Sequence, residues 1–455
     1  MTIDQSLIRK YNVPGPRYTS YPTVPYWDEE APNTVDWKAK AKETFDATNA
    51  ESGISLYIHL PFCEKLCTFC GCNKRITVNH KVETPYIESL LREFDTYLAF
   101  LGDKPKIKEI HLGGGTPTFF APDQLERLLT RLLEKTEPVA DFEFGFEAHP
   151  NVTTEAHIAT LARLGFTRVS FGVQDFDPKV QDIINRHQSY AVTKEISDIA
   201  RDYGYSSLNY DLVFGLPLQT KDSIIDTVEK VKTVMPERIA FYSYAHVPWV
   251  SKAQRRYTKD DLPLGEAKRE LYELGRELLE EVGYKEIGMD HFALPEDELY
   301  KAFQEKRLHR NFMGYTPNYT GLMIGLGMSS ISDSWTAFIQ NNKVVEDYQA
   351  IVDQGEMPIL RGHLLNEEDL ILRKHILNIM CHFETDWSDK KWQHPSLFQG
   401  LERMKEMETD GLVTIHPNHL EVSELGKTFI RNICMTLDAR LWRNKPETQL
   451  FSQVI

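Results

Sequence analysis

From about residue 51 to 290, short apolar runs alternate with amphipathic stretches, and this alternation constrains the fold more than any other feature. Strand-like runs lie at Ile54–His59, Ile107–Leu112, Phe142–Glu147, Arg168–Val173, Ser207–Val213 and Ile239–Ala245. Between them, Leu125, Leu128, Leu129, Leu132 and Leu133 recur at the helical period, as do Ile224, Ile225, Val228 and Val231. Strands separated by helices pair in parallel, because each crossover returns the chain to the same end of the sheet. Residues 51–290 are therefore expected to form a parallel α/β sheet, open or closed into a barrel.

The flanks differ in character. Residues 1–50 are expected to be an arm: four prolines and a glycine fall between Pro14 and Pro25, which forbids regular helix there. A Tyr-rich arm of this kind packs across a surface. Residues 291–360 are assigned as an extension of the sheet domain. Residues 361–455 are assigned as a mainly helical C-terminal domain, with helical patterns around Glu367–Met380 and Leu397–Glu408. The apolar run Leu412–Ile415, a turn at His416–His419 and Leu420–Val422 then suggest a β-wing, hence a winged-helix-like module.

Charge narrows the partners. With 52 basic against 67 acidic residues the formal charge is −15, which argues against nucleic acid or an anionic membrane. The tail has no Lys/Arg cluster, so the winged module is expected to cover an active site rather than bind DNA. No apolar run approaches the roughly 20 residues of a membrane span, and no secretory signal is visible at the N-terminus. Six cysteines in 455 residues do not make a disulfide framework. A reducing cytoplasm is expected, and a monomer.

Four of those cysteines crowd one loop after the first strand-like run: Cys63, Cys67, Cys70 and Cys72. Thiolates at i, i+4 and i+7 can take three corners of a cubane iron–sulfur cluster, leaving one iron open to an outside ligand. Zinc held with His59 and His80 is one alternative. A closed cluster using Cys72 as fourth ligand is another, although Cys72 stands very near Cys70 for one loop to wrap all four corners.

Polar residues and glycines recur where the strand-like runs end. Gly113, Gly114, Gly115 and Thr116 follow the second run, Glu147 ends the third and Gln174 follows the fourth. Asp211 lies near the end of the fifth and Ala245 ends the sixth. In a β/α barrel such positions face one another and gather the chemistry. Buried charge there is costly unless paired or used, so several on successive strands indicate a shared ligand site. The glycines would let a ligand approach the backbone.

The CxxxCxxC loop after a first strand, with Phe69 before the third cysteine, resembles the signature of the radical S-adenosylmethionine (SAM) superfamily. Within it, the chain is similar to the oxygen-independent coproporphyrinogen III oxidase family. The motifs are Gly15–Pro22, Cys70–Lys74, Gly288–Ala293, Leu308–Phe312 and Arg431–Met435, in order over nearly the whole chain. The resemblance implies a partial (β/α)6 TIM-like barrel, and a [4Fe-4S] cluster on Cys63, Cys67 and Cys70. Two SAM molecules are implied: Tyr57, Gly114, Glu147, Ala245 and Ile331 match positions around the first. Phe69, Gly115, Thr116, Gln174, Arg186 and Asp211 match positions around the second.

The implied reaction converts two propionates of coproporphyrinogen III to vinyl groups through a 5′-deoxyadenosyl radical, giving protoporphyrinogen IX. A flavodoxin or ferredoxin would donate the electron. Cys72 is implied to be a functional cysteine outside the cluster, against the alternative of a small buried thiol. Arg17, Tyr18, Arg310 and Asn311 are candidates for the substrate's carboxylates. A haem chaperone or another haem-handling radical SAM protein is the alternative function. One departure stands out: His149 follows Glu147-Ala148 where the family often carries Asp, replacing an acid by a group that can become a cation.

Overall fold

The computed structural model describes residues 4–28, 34–249, 251–444 and 450–454. Six parallel strands build its centre: β1 (Ile54–Leu60), β2 (Lys106–Gly114), β3 (Glu137–Ala148), β4 (Phe166–Gln174), β5 (Ser207–Phe214) and β6 (Arg238–Ser243). They pair in sequence order, each neighbour parallel to the last. Helices Pro122–Glu134 and Lys221–Val234 stand where the periodic leucine and isoleucine stripes predict them. Those stripes bury Leu125, Leu128, Leu129, Leu132, Ile224, Val228 and Val231 against the sheet. At about 25 cal/mol per Å² of apolar surface removed from water, this packing is what stabilises the barrel wall.

The barrel stays open. Leu322–Leu326 adds parallel to β1, and three antiparallel strands, Ile331–Asp333, Ala337–Asn341 and Ile359–Leu364, extend that edge. At the other edge His291–Ala293 and Lys285–Gly288 follow β6 antiparallel, so the twelve strands form one linear sheet. The result is the partial TIM-like barrel expected. The C-terminal region packs helices Glu367–His382, Pro395–Thr409 and Ile430–Leu437 beside a three-stranded sheet. In that sheet Glu384–Asp386 joins the two wing strands Val413–Ile415 and His419–Val422. Among the described residues no helix is long and apolar enough to cross a membrane.

The described residues between 5 and 48 are more regular than an arm. Helix Thr34–Thr48 buries Trp37, Ala41 and Phe45 in the barrel core, while Gln5–Tyr11 forms a short helix on the C-terminal domain. Between them the Pro-rich stretch clamps the two units. Tyr11, Tyr18 and Tyr21 belong to the C-terminal core, and the Trp27 ring stacks on Phe338 of the sheet at 5.3 Å. Buried Arg431 donates to the carbonyls of Gly15 and Pro16, and Tyr18 Oη donates to Asp438 at 3.1 Å. Tyr18 is thus a structural residue and not a substrate contact. Removing that hydroxyl with Tyr18→Phe is expected to cost about 1–2 kcal/mol. The loss should appear as a lower urea midpoint and faster proteolysis within the arm; an unchanged midpoint would refute the clamp.

Candidate active site

The cysteine loop leaves β1 at Leu60 and is held from three sides. Arg75 N donates to Pro61 O at 2.8 Å and Thr77 N to Cys63 O at 2.9 Å, pinning its base. Thr68 N donates to Ile184 O at 2.9 Å, and Asn185 Nδ2 to Leu66 O at 2.7 Å. Lys74 Nζ reaches back to the carbonyls of Cys70 and Cys72 at 3.2 and 3.3 Å. A loop so tied presents its thiols at fixed positions.

Those thiols face a cavity of about 520 Å³ at the C-terminal ends of the strands. Cys63, Cys67, Cys70, Cys72, Phe69, Gly114, Gly115, Thr116, Glu147, Gln174, Arg186, Asp211 and Ala245 all line it. Tyr57 and Ile331 do not line it. Tyr57 stands beside it, stacked on His111 at 6.1 Å, and Ile331 crowds Gly325, the residue in register with Tyr57. Strand β6 ends at Ser243, so Ala245 lies just beyond the strand and not at its end.

The glycines act differently from the expectation. Gly113 would drive a Cβ into Tyr57 at 2.9 Å and Glu147 at 3.0 Å, and Gly114 into the His59 ring at 2.8 Å. At Gly115 a Cβ would collide with the carbonyl of Pro61. The missing side chains therefore admit the cysteine loop and its supports, rather than a ligand alone. Gly114 also adopts φ +115, which a side chain would strain. Its amide is already engaged, donating to Glu147 Oε2 at 3.2 Å.

Residues 57–231 match the profile of the radical SAM superfamily. Oxygen-independent coproporphyrinogen III oxidase of Pseudomonas aeruginosa is 38% identical over 99% of this chain and 98% of its own. The Synechocystis protein of the same name is 34% identical over 99% and 97%. The solved structure of Escherichia coli coproporphyrinogen III oxidase, described as a radical SAM enzyme, superposes with a TM-score of 0.89 at 35% identity. That superposition covers 96% of this chain and 99% of the other. The chain belongs to the oxygen-independent coproporphyrinogen III oxidase family. As a radical SAM protein it uses SAM and an iron–sulfur cluster.

The site's chemistry suits that family. His59 is occupied on both nitrogens, by Asn73 O at 2.9 Å and Tyr57 Oη at 3.1 Å, and His80 sits 2.6 Å from Glu83. Neither histidine is therefore set up to complete a zinc tetrahedron with the thiols. A hydrogen bond with the Cys72 thiol, aided by the Lys74 ammonium, pulls Cys70 below the ordinary thiol range, whereas burial pushes Cys63 up to about 11. Cys72 itself is exposed, which removes the buried-thiol alternative. Arg186 is not a solvated helix charge: it donates to Gly172 O and lies 3.6 Å from Cys67 Sγ.

Burial would raise the Glu147 carboxyl, but His111 at 3.4 Å and the Gly114 amide hold it below the ordinary range. Asp211 goes the other way, to about 6, through burial and the nearby charge of Glu147. Ser170 and Asn209 each donate to it, at 3.0 and 2.9 Å. His149 is no cation: burial and Arg186 push it down to about 3.

Ser170, Asn209, His111, Lys74 and Tyr242 were missed from sequence. The available signal was alternation, since Asn209 and Asp211 share one face of β5 and Ser170 faces them from β4. The raised Asp211 carboxyl binds its proton more tightly folded than unfolded. Its stabilising effect is therefore present below 3.8 and lost as pH rises through about 6. Asp211→Asn is expected to raise the melting temperature of the SAM-free protein at about pH 7.5 and to leave it unchanged near about pH 4. No gain at the higher pH would contradict this reading.

Proposed function

We propose that this protein oxidatively decarboxylates two propionate side chains of coproporphyrinogen III to vinyl groups, yielding protoporphyrinogen IX. The observation that carries the reading is one cavity in which a CxxxCxxC loop meets strand-end acids, in a chain alike over its full length to coproporphyrinogen III oxidases. Cys63, Cys67 and Cys70 are the cluster's ligands. Their fit rests on three partly exposed thiols on one tied loop, with Cys70 favouring the thiolate that metal binding needs. When bound, cluster and SAM supply the one-electron chemistry that takes a hydrogen atom from a propionate β-carbon. Loss of carbon dioxide would then leave the vinyl group, with the remaining electron passing to an external one-electron acceptor.

The chain's own residues bind and orient. Around a first SAM stand Gly114, Glu147 and Ala245 on the cavity wall, with Tyr57 and Ile331 behind it; Glu147 is the ionised acid, suited to the amino group of an amino acid. Around a second stand Phe69, Gly115, Thr116, Gln174, Arg186 and Asp211. What supports two places is that Glu147, held from behind by His111, and the pair Arg186 and Asp211 both face the one cavity. Arg186 supplies a guanidinium for a carboxylate. Cys72 is assigned outside the cluster, as a functional thiol at the cavity that keeps its proton beside Cys70.

A small acidic flavodoxin or ferredoxin suits the exposed rim of the loop. Lys65 lies there beside Leu66, Ile76 and Val78, which are 38, 39 and 75% exposed, and Arg75, paired with Glu346, borders them. Such a rim is apolar with a mixed-charge margin, and docking on it would bring a donor near the thiols. The six free cysteines agree with a reducing cytoplasm as the working compartment.

The test is anaerobic: reconstitute the cluster, add reductant, SAM and coproporphyrinogen III, and follow vinyl product by mass spectrometry. Two successive losses of carbon dioxide are expected. Cys67→Ser should lose the cluster absorbance and all product, whereas Cys72→Ser should keep the absorbance and lose most turnover. Haem binding with SAM cleavage but without decarboxylation would replace the reading with that of a haem chaperone.

A further inference from the structure

Behind the cavity, where the barrel, the arm and the C-terminal domain meet, four cations collect: Arg17, Lys268, Arg310 and Arg431. They influence one another through a buried region, with Asp290 as the acid among them. This is an unusual concentration of positive charge in a chain of net charge −15. Burial and the charge of Arg17 depress Lys268 to about 8 and Arg431 to about 9.

Three of the four have their donors engaged. Arg431 donates to the carbonyls of Gly15, Pro16, Gln453 and Val454. Lys268 donates to Tyr244 O at 2.9 Å. Arg17 donates to Ser243 O at 3.1 Å and lies 3.7 Å from Asp290.

Arg310 differs. It is 6% exposed, and its Nε and Nη1 are buried without a hydrogen-bond partner. Among the described residues no carboxylate lies within ion-pair distance of it. Its contact is with the face of Tyr315, the residue opposite it in the Arg310–Tyr315 strand pair, at 4.4 Å. The neighbouring His291 offers no anion: its Nδ1 donates to Met289 O at 2.8 Å, and the ring is held neutral by burial and by Arg310 itself. A buried guanidinium with unmatched donors is costly, and the cost is relieved by an anion that arrives from outside.

Space and a connection exist beside it. At Gly314 a Cβ would meet only His291 Nε2, at 3.7 Å. His291 Nε2 lies 3.5 Å from Tyr242 Oη, and Tyr242 lines the cysteine cavity. Ser243 lines both that cavity and a second one of about 460 Å³, which Asp290 and Arg431 also line. Of the four cations Arg431 lines the second cavity itself, while Arg310 stands one layer behind the cysteine cavity, next to His291, which meets Tyr242 of its wall.

Asn311, by contrast, is committed elsewhere. Its Oδ1 accepts from Met313 N at 2.9 Å, and it faces a small separate cavity with His309 and Arg373.

We propose that Arg310 is a specificity-determining residue that receives a carboxylate of the tetrapyrrole, on a propionate retained while others are converted near the cluster. This rests on the functional reading above. A macrocycle with carboxylates around its rim can place one beside the reacting centre and another against a buried fork of donors, which fixes its orientation.

The test measures binding to the reconstituted holoprotein by porphyrin fluorescence, with coproporphyrin III and with its tetramethyl ester. Arg310→Gln is expected to weaken binding of the free acid by about 10- to 100-fold and to leave the ester unaffected. Arg310→Lys, which keeps the charge without the fork, should fall between. Cluster absorbance and melting temperature establish that each variant is folded. If Arg310→Gln does not fold, the lysine variant and the acid-to-ester ratio of the unaltered protein still decide the matter. Equal affinity for the acid in folded variants, or equal affinity of the unaltered protein for acid and ester, overturns the assignment. If the unaltered protein binds the acid through Arg310 yet never decarboxylates the porphyrinogen, the functional reading fails while this site stands.

Discussion

The contact between the end of β1 and the end of β2 is the constraint on which the site depends. The chain leaves β1 through Pro61 into the cysteine loop, and β2 must pass close beneath it. Gly115 N donates to Leu60 O at 2.9 Å and Thr116 N to Phe62 O at 3.0 Å, which extends the parallel pairing past the strand end. A side chain at Gly115 would push the loop away from the barrel, and one at Gly114 would strike the His59 ring. The same approach brings Thr116 Oγ1 to 3.3 Å from Cys63 Sγ and aims the Gly114 amide at Glu147. Cluster loop and acid wall are thereby set by one backbone contact.

Around this point the molecule distributes charge unevenly. Glu147 is ionised because donors surround it, Asp211 is raised because burial and Glu147 act on it, and His149 is neutral because it is buried with Arg186 near. Polar side chains held at a cost in stability mark a working site. The arm completes the arrangement. Tyr11, Tyr18 and Tyr21 are consumed in the C-terminal core, and Arg17 alone among the arm residues considered for substrate contact turns toward β6.

Much of the fold was legible from sequence because periodicity is a local signal. The six strands and their helices follow from apolar spacing, and parallel order follows from the crossovers. Less legible were features that depend on distant partners. Helix Thr34–Thr48 carries a weak apolar stripe, yet Trp37 and Phe45 are buried because the extended sheet edge reaches over them. Ala245 was placed at a strand end since its neighbours look β-like. Pairing stops at Ser243, and the backbone beyond bends so that Gln254 donates to Ala245 O at 3.1 Å.

The amino-acid sequence by itself determined the thiol spacing, the glycines that let the loop lie down, and the alternation that builds a parallel barrel. Each is a property of residues close together in the chain. Only the tertiary structure decided which charges are paired. Arg431, Arg17 and Lys268 find hydrogen-bond acceptors, while among the described residues Arg310 meets only the Tyr315 face and leaves Nε and Nη1 unmatched. His149 and Glu147, neighbours in sequence, take opposite fates through burial and through groups brought from other strands. Hydrogen bonding and desolvation act over a few ångströms in space, across separations in the chain that spacing and composition do not encode.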